Sequence, residues 1–183
     1  KIMKKSTILL VATASVLMLA GCAKTVSAEE AKAFVKENYS YDKASQAISN
    51  VTYTTKTVTE KAEGIFEKLG TVGTSEQKDV KGIIDVIKES SITDDEGITY
   101  KIDGKKFEAH QVLTGKSLAE SLDVPEEALK GKMVSDLYCT EYGTPSKTKV
   151  VYDVTVNYSA GGLVITGAYK KTITTTYTYT YNK

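Results

Sequence analysis

The chain predicts an α+β domain in which N-terminal helices pack on one face of a curved antiparallel sheet. Three observations carry that expectation. Helix signals crowd into the first half, alternating strand patterns dominate from Ile98 onward, and the strands are joined by short turns of the kind that link antiparallel neighbours.

The elements follow in order. Ser27-Ala28-Glu29-Glu30 is a capping box, and Ala31, Phe34 and Val35 then mark one apolar stripe to about Asn38. From Ala44, the series Ile48, Val51, Thr55, Val58, Ala62, Ile65, Leu69 steps by three and four. That period predicts a long amphipathic helix over 44–69, closed by Gly70. The same stretch holds Val51-Thr52-Tyr53-Thr54-Thr55-Lys56-Thr57-Val58, whose β-branched residues favour strand. Seven steps in phase favour the helix. Thr74 with Gln77 offers a second capping box, and Val80, Ile83, Ile84 and Ile87 predict a helix over 75–89. Asp94-Asp95-Glu96-Gly97 is a turn.

Asp103-Gly104 joins Ile98–Ile102 to Phe107–Val112 as a hairpin. Its expected register pairs Ile102 with Phe107, Lys101 with Glu108 and Tyr100 with Ala109. Ser117–Leu122 and Asp123–Gly131 read as short helical turns, with Pro125 early in the second. A strand over 134–142 follows, then a loop through Gly143 and Pro145. In the C-terminal hairpin, Val150, Tyr152, Val154, Val156 and Tyr158 share one face. Leu163, Ile165, Tyr169, Ile173, Tyr177, Tyr179 and Tyr181 share one parity on the next strand. A four-residue turn, Ser159-Ala160-Gly161-Gly162, would pair Tyr158 with Leu163, Val156 with Ile165 and Tyr152 with Tyr169.

Met3-Lys4-Lys5 is a positive head, and Ile8 to Ala20 is an apolar or small run of 13 residues. Thirteen helical residues span about 20 Å, short of the roughly 30 Å of a bilayer core, so the run reads as an export signal. It ends Leu19-Ala20-Gly21-Cys22. This resembles the lipobox of bacterial lipoproteins. The resemblance implies a diacylglyceryl group on the Cys22 sulfur and cleavage between Gly21 and Cys22. The expected organisation is signal peptide 1–21, lipidated tether 22–26 and a single domain over 27–183, held at the extracytoplasmic face of a cell membrane. Two or three acyl chains make a stable anchor where one is marginal. The order of elements in the domain resembles the NTF2-like cone. A half-barrel over helices, similar to bacterial lipoprotein carriers, is the alternative, and a strand at 50–58 would favour it.

The whole chain has 24 basic residues, all Lys, against 23 acids. Removing 1–21 takes away Lys1, Lys4 and Lys5 and leaves 21 against 23, a balance that argues against nucleic acid as a partner. With Cys22 lipidated, Cys139 lacks a disulfide partner and reads as a buried small hydrophobe.

No catalytic, cofactor or metal set emerges. His110 is the sole histidine and shares the solvent parity of Lys106 and Glu108. One histidine with one thiol falls short of a zinc site. Asp94-Asp95-Glu96 and Glu126-Glu127 suit a turn and a helix start. Gly115-Lys116-Ser117 lacks the earlier glycine of a phosphate loop, since that position is His110. Tyr177, Tyr179 and Tyr181 line one strand face, as a ligand surface or as a continuation of the core. The expected function is non-catalytic binding of a ligand or an envelope protein by a membrane-anchored surface lipoprotein. The alternatives are a carrier of a lipid or apolar small molecule, and an envelope hydrolase using loop carboxylates.

Overall fold

Helix α1 (Ala28–Asn38) begins where its capping box stands. The Ser27 hydroxyl accepts from the Glu30 backbone N–H at 3.2 Å, and the Glu30 carboxylate accepts from the Ser27 N–H at 2.9 Å. Its stripe buries Ala31 and Val35, with Phe34 packed at the margin. A computed structural model describes residues 23–79, 82 and 84–183. Cys22 and the expected signal segment lie outside them. Residues 24–26, expected as tether, form β1 (Lys24–Val26) instead, so the folded body starts two residues after Cys22.

Helix α2 (Tyr41–Ala47) stops where the long helix was expected to run on. Ile48–Gly64 is β2, a strand of 17 residues. β-branched side chains lose χ1 freedom in a helix but lie well on a pleated surface. Alternation then puts Val51, Tyr53, Thr55, Thr57 and Thr59 opposite Tyr179, Tyr177, Thr175, Ile173 and Lys171. Among the described residues of 75–89, the expected helix is also absent. Gly73–Asp79 is β3, residues 84–88 run without regular structure, and Glu89–Ser91 is one 3₁₀ turn. The capping pair Thr74 and Gln77 lies on the β3 ladder with β2. Val80 and Ile83, half of the apolar series, lie outside the described residues.

The remaining strands are β4 (Ile98–Asp103), β5 (Lys106–Leu113), β6 (Leu129–Cys139), β7 (Pro145–Ala160) and β8 (Leu163–Tyr181), with α3 (Gly115–Leu122) between β5 and β6. A 3₁₀ turn at Glu126–Ala128 precedes β6. The β4–β5 register is the expected one, Ile102 with Phe107 and Tyr100 with Ala109. The β7–β8 register is two residues away from expectation: Tyr158 faces Ile165, Val154 faces Tyr169 and Tyr152 faces Lys171. Gly161 and Gly162, with φ of 59° and 85°, close a two-residue turn whose twist matches the strands better than a four-residue loop. A shift of two keeps every side chain on its expected face. Residue 131, expected to end a helical turn, sits within β6, because Gly131 at φ 116° lets its backbone approach the Asp153 carbonyl.

Among the described residues, eight strands make one antiparallel sheet in the order β1-β4-β5-β6-β7-β8-β2-β3. The fold is α+β in the broad sense, with more sheet and shorter helices than expected. Two apolar clusters load the inner face. At the end where the chain enters, α1 and α2 pack over Tyr100, Phe107, Cys139 and Ile48. At the opposite end, α3 and Phe66 pack over Val154, Val156 and Tyr169.

Candidate functional site

Strand parity sends Ile98 and Tyr100 of β4, Ala109 and Gln111 of β5, and Ser135 and Leu137 of β6 to the inner face, where they floor a groove of about 530 Å³. Its wall is the irregular segment 85–92, which supplies Val86, Ile87 and Ile92 with Asp85 and Lys88. Backbone bonds pin this segment like a strap. The Gly82 N–H donates to the Val51 carbonyl at 3.0 Å, and the Ile87 N–H to the Gly143 carbonyl at 2.9 Å. The Tyr100 hydroxyl donates to the Thr93 carbonyl at 2.8 Å and accepts from the Thr93 N–H at 3.1 Å. Lys36 reaches Glu89 at 3.6 Å across exposed surface.

The groove's size falls within the usual range for small-molecule sites of about 300–1,000 Å³. Its lining is mixed. Val86, Ile92, Ile98 and Leu137 offer apolar surface, while the Gln111 amide and Ser135 hydroxyl stand on neighbouring strands. Asp85 is the one carboxylate among the lining residues, so the two opposed acids of glycoside hydrolysis do not meet there. Such a surface can hold an apolar body and hydrogen-bond a few polar groups. Among the described residues, no three or more His, Cys, Asp or Glu side chains gather as a metal set.

The three sequence-marked tyrosines do not form a flat platform. Tyr177 is half-buried beside Tyr53, with ring centroids 5.7 Å apart. Burial, then the Asp85 carboxylate, raises its phenol above the ordinary value, which places the strap's acid near this ring. Tyr179 packs against the cluster under α1 and α2 and donates to the Pro145 carbonyl at 2.6 Å. Tyr181 is 47% exposed and leans on Tyr142 at 5.8 Å. Their common face is the core face, continued outward at its last residue.

His110 lies on the outer face, exposed, with Nδ1 2.6 Å from an Asp136 carboxylate oxygen. Thr99, Lys101, Glu108 and Tyr138 surround the pair in a shallow depression. The Thr99 hydroxyl donates to the His110 backbone carbonyl at 3.5 Å instead of meeting the imidazole. Asp136 went unmarked in the sequence, since only the β5–β6 register sets it opposite His110. Cys139 is buried, and burial pushes its thiol up to about 12, so it stays neutral at physiological pH. Asp94, Asp95 and Glu96 are exposed before Gly97, and Glu126 and Glu127 are exposed on their 3₁₀ turn. Lys116 pairs weakly with Glu120 at 3.8 Å within α3.

Sequence reasoning missed the groove because it read the strap as helix. Comparison with protein-family models, curated proteins and solved structures finds no match to this chain. Among the described residues, no helix is long and apolar enough to cross a membrane.

Proposed function

We propose that the chain is a surface lipoprotein, fastened through Cys22 to the extracytoplasmic face of a cell membrane, whose domain binds a small amphipathic molecule without transforming it. The strapped groove carries this reading: a site of ligand size, with apolar walls, two uncharged polar groups on its floor and a single carboxylate. We assign the architecture to the half-barrel alternative over the NTF2-like cone, because residues 48–64 are strand where a long helix would be needed.

Co-purification tests it. Native mass spectrometry of the mature chain is expected to reveal a bound small molecule that Leu137→Trp, filling the groove, abolishes without unfolding the domain. A lipid in that position would make the protein a carrier. Hydrolysis of a glycoside or ester that Asp85→Asn abolishes would replace binding with catalysis.

A further inference from the structure

We infer that the end of the sheet at which the chain enters is a docking face for an anionic lipid bilayer, so that the domain stands on the membrane in one orientation. The inference rests on the anchor at Cys22. Two residues from Cys22 to Lys24 reach at most about 7 Å. Lys24 then pairs with Ile102, next to the tip of the β4–β5 hairpin at Gly104-Lys105. Any lipid on Cys22 therefore holds this tip at the headgroups.

Other parts of the chain meet at the same end. The Tyr39 hydroxyl donates to the Lys105 carbonyl at 2.7 Å, and Gly143 lies against the Tyr39 ring. Tyr142 in that loop lies tilted against Tyr181 of β8, and α2 starts at Tyr41, which is 59% exposed. Tyrosine, with an apolar ring and a polar tip, is enriched at membrane–water interfaces. Lysine is drawn to anionic lipid, by about fivefold in binding for each one near the surface.

The charges at this end are mixed, and what favours an anionic surface is the tip itself. Lys24, Lys43, Lys101, Lys105 and Lys106 stand with Glu30, Glu37, Asp42, Asp103, Glu108 and Glu141, and Glu108 lies directly across from Lys101. Glu30 is spent on Lys24 at 3.4 Å, whereas Lys105 and Lys106 form no ion pair among the described residues. They project at the hairpin tip, where nothing of the domain covers them. A protein partner could use the same charges, but the tether supplies the bilayer at high local concentration before any partner arrives. The exposed apolar residues Ile65, Leu69, Leu163 and Val164 lie at the other end. The 19 residues of β8 separate the two ends by about 60 Å, too far for that tip to touch a membrane gripped at Cys22.

Surface mapping of lysines tests the orientation. The full precursor is expressed in bacteria that lipidate, and the mature protein is placed in vesicles of phosphatidylcholine with or without phosphatidylglycerol. Amine labelling read by mass spectrometry should show Lys43, Lys105 and Lys106 shielded about fivefold or more relative to Lys68 and Lys116 when phosphatidylglycerol is present. The double variant Lys105→Glu, Lys106→Glu should lose the shielding of Lys43 while keeping its lipid. Equal labelling of both sets in a lipidated, vesicle-bound chain overturns the docking face and leaves the anchor standing. Shielding of Lys68 and Lys116 instead reverses the orientation and overturns it as well. A chain that carries no lipid and does not float with vesicles removes the anchor and this face together. A chain without lipid that still shields Lys105 and Lys106 retains the face and loses the anchor.

Discussion

Raising the pH should destabilise this domain through three protons held in the cluster under α1 and α2. The Cys139 thiol, ordinarily near 9.0, is pushed up to about 12 by burial, and burial first among its causes pushes the Tyr179 phenol from 10.0 to about 12. Tyr39 shifts upward too, again chiefly by burial. Each group binds its proton more tightly folded than unfolded. Stability is therefore full below the unfolded values and falls as the pH climbs through 9 and 10, where only the unfolded chain releases protons. At pH 11 the thiol accounts for a loss of roughly 2.5 kcal/mol relative to pH 8, at about 1.4 kcal/mol per pH unit. Tyr179, partly solvated, adds up to about 1 kcal/mol. With Tyr39 contributing on the scale of Tyr179, the total loss of roughly 4–5 kcal/mol is a large share of the about 5–15 kcal/mol that holds an ordinary domain together. Urea unfolding followed by circular dichroism at pH 8 and pH 11 measures it. Cys139→Ala should lower stability at both pH values through its cavity, yet flatten the pH dependence by more than half. Equal stability at the two pH values, or an unchanged slope in the variant, would refute the assignment of a buried neutral thiol at this position.

Phe107, fully buried and stacked near Tyr100 at 5.7 Å, should cost about 3–5 kcal/mol as Phe107→Ala, read as a fall of roughly 10 °C in Tm. Gly131→Ala would put a Cβ 2.1 Å from the Asp153 carbonyl oxygen at φ 116° and should cost at least about 2 kcal/mol. Gly104→Ala, strained at φ 59° but with open space around it, should cost about 1–2 kcal/mol; denaturant titration of the pair separates clash from backbone strain. Asp136→Ala removes the half-buried partner of the exposed His110 and should change stability by less than about 1 kcal/mol, with a larger loss marking that pair as structural.

The features legible in the sequence are those whose causes lie within a few residues. The capping box at Ser27 satisfies its own helix start, so four residues announce α1. The β4–β5 register follows from Asp103-Gly104 and the parity of the flanking strands, because the pairing residues are neighbours in the chain. The faces of β7 and β8 were readable for the same reason, although the turn's length, and with it the pairing, was not. Cys139 as a buried small hydrophobe could be read from the apolar alternation around it.

Strand β2 shows where local reading fails. Its residues fit a helical period and a pleated one together, and the choice was made by partners more than 100 positions away. Once β8 offers a ladder on one side and β3 on the other, backbone hydrogen bonds and β-branched packing outweigh a local amphipathic helix. The groove depends on the same remote decision, since its strap is fixed by Val51, Gly143 and Tyr100; the meeting of His110 with Asp136 follows from a separate pairing, that of β5 with β6. By itself the chain determined the cap of α1, the turn between β4 and β5 and which side chains share a face on β7 and β8, all set by short-range sterics and polarity. Which strands are neighbours, and hence what the inner face encloses, only the tertiary structure decided, because pairing energy depends on segments that no local window contains.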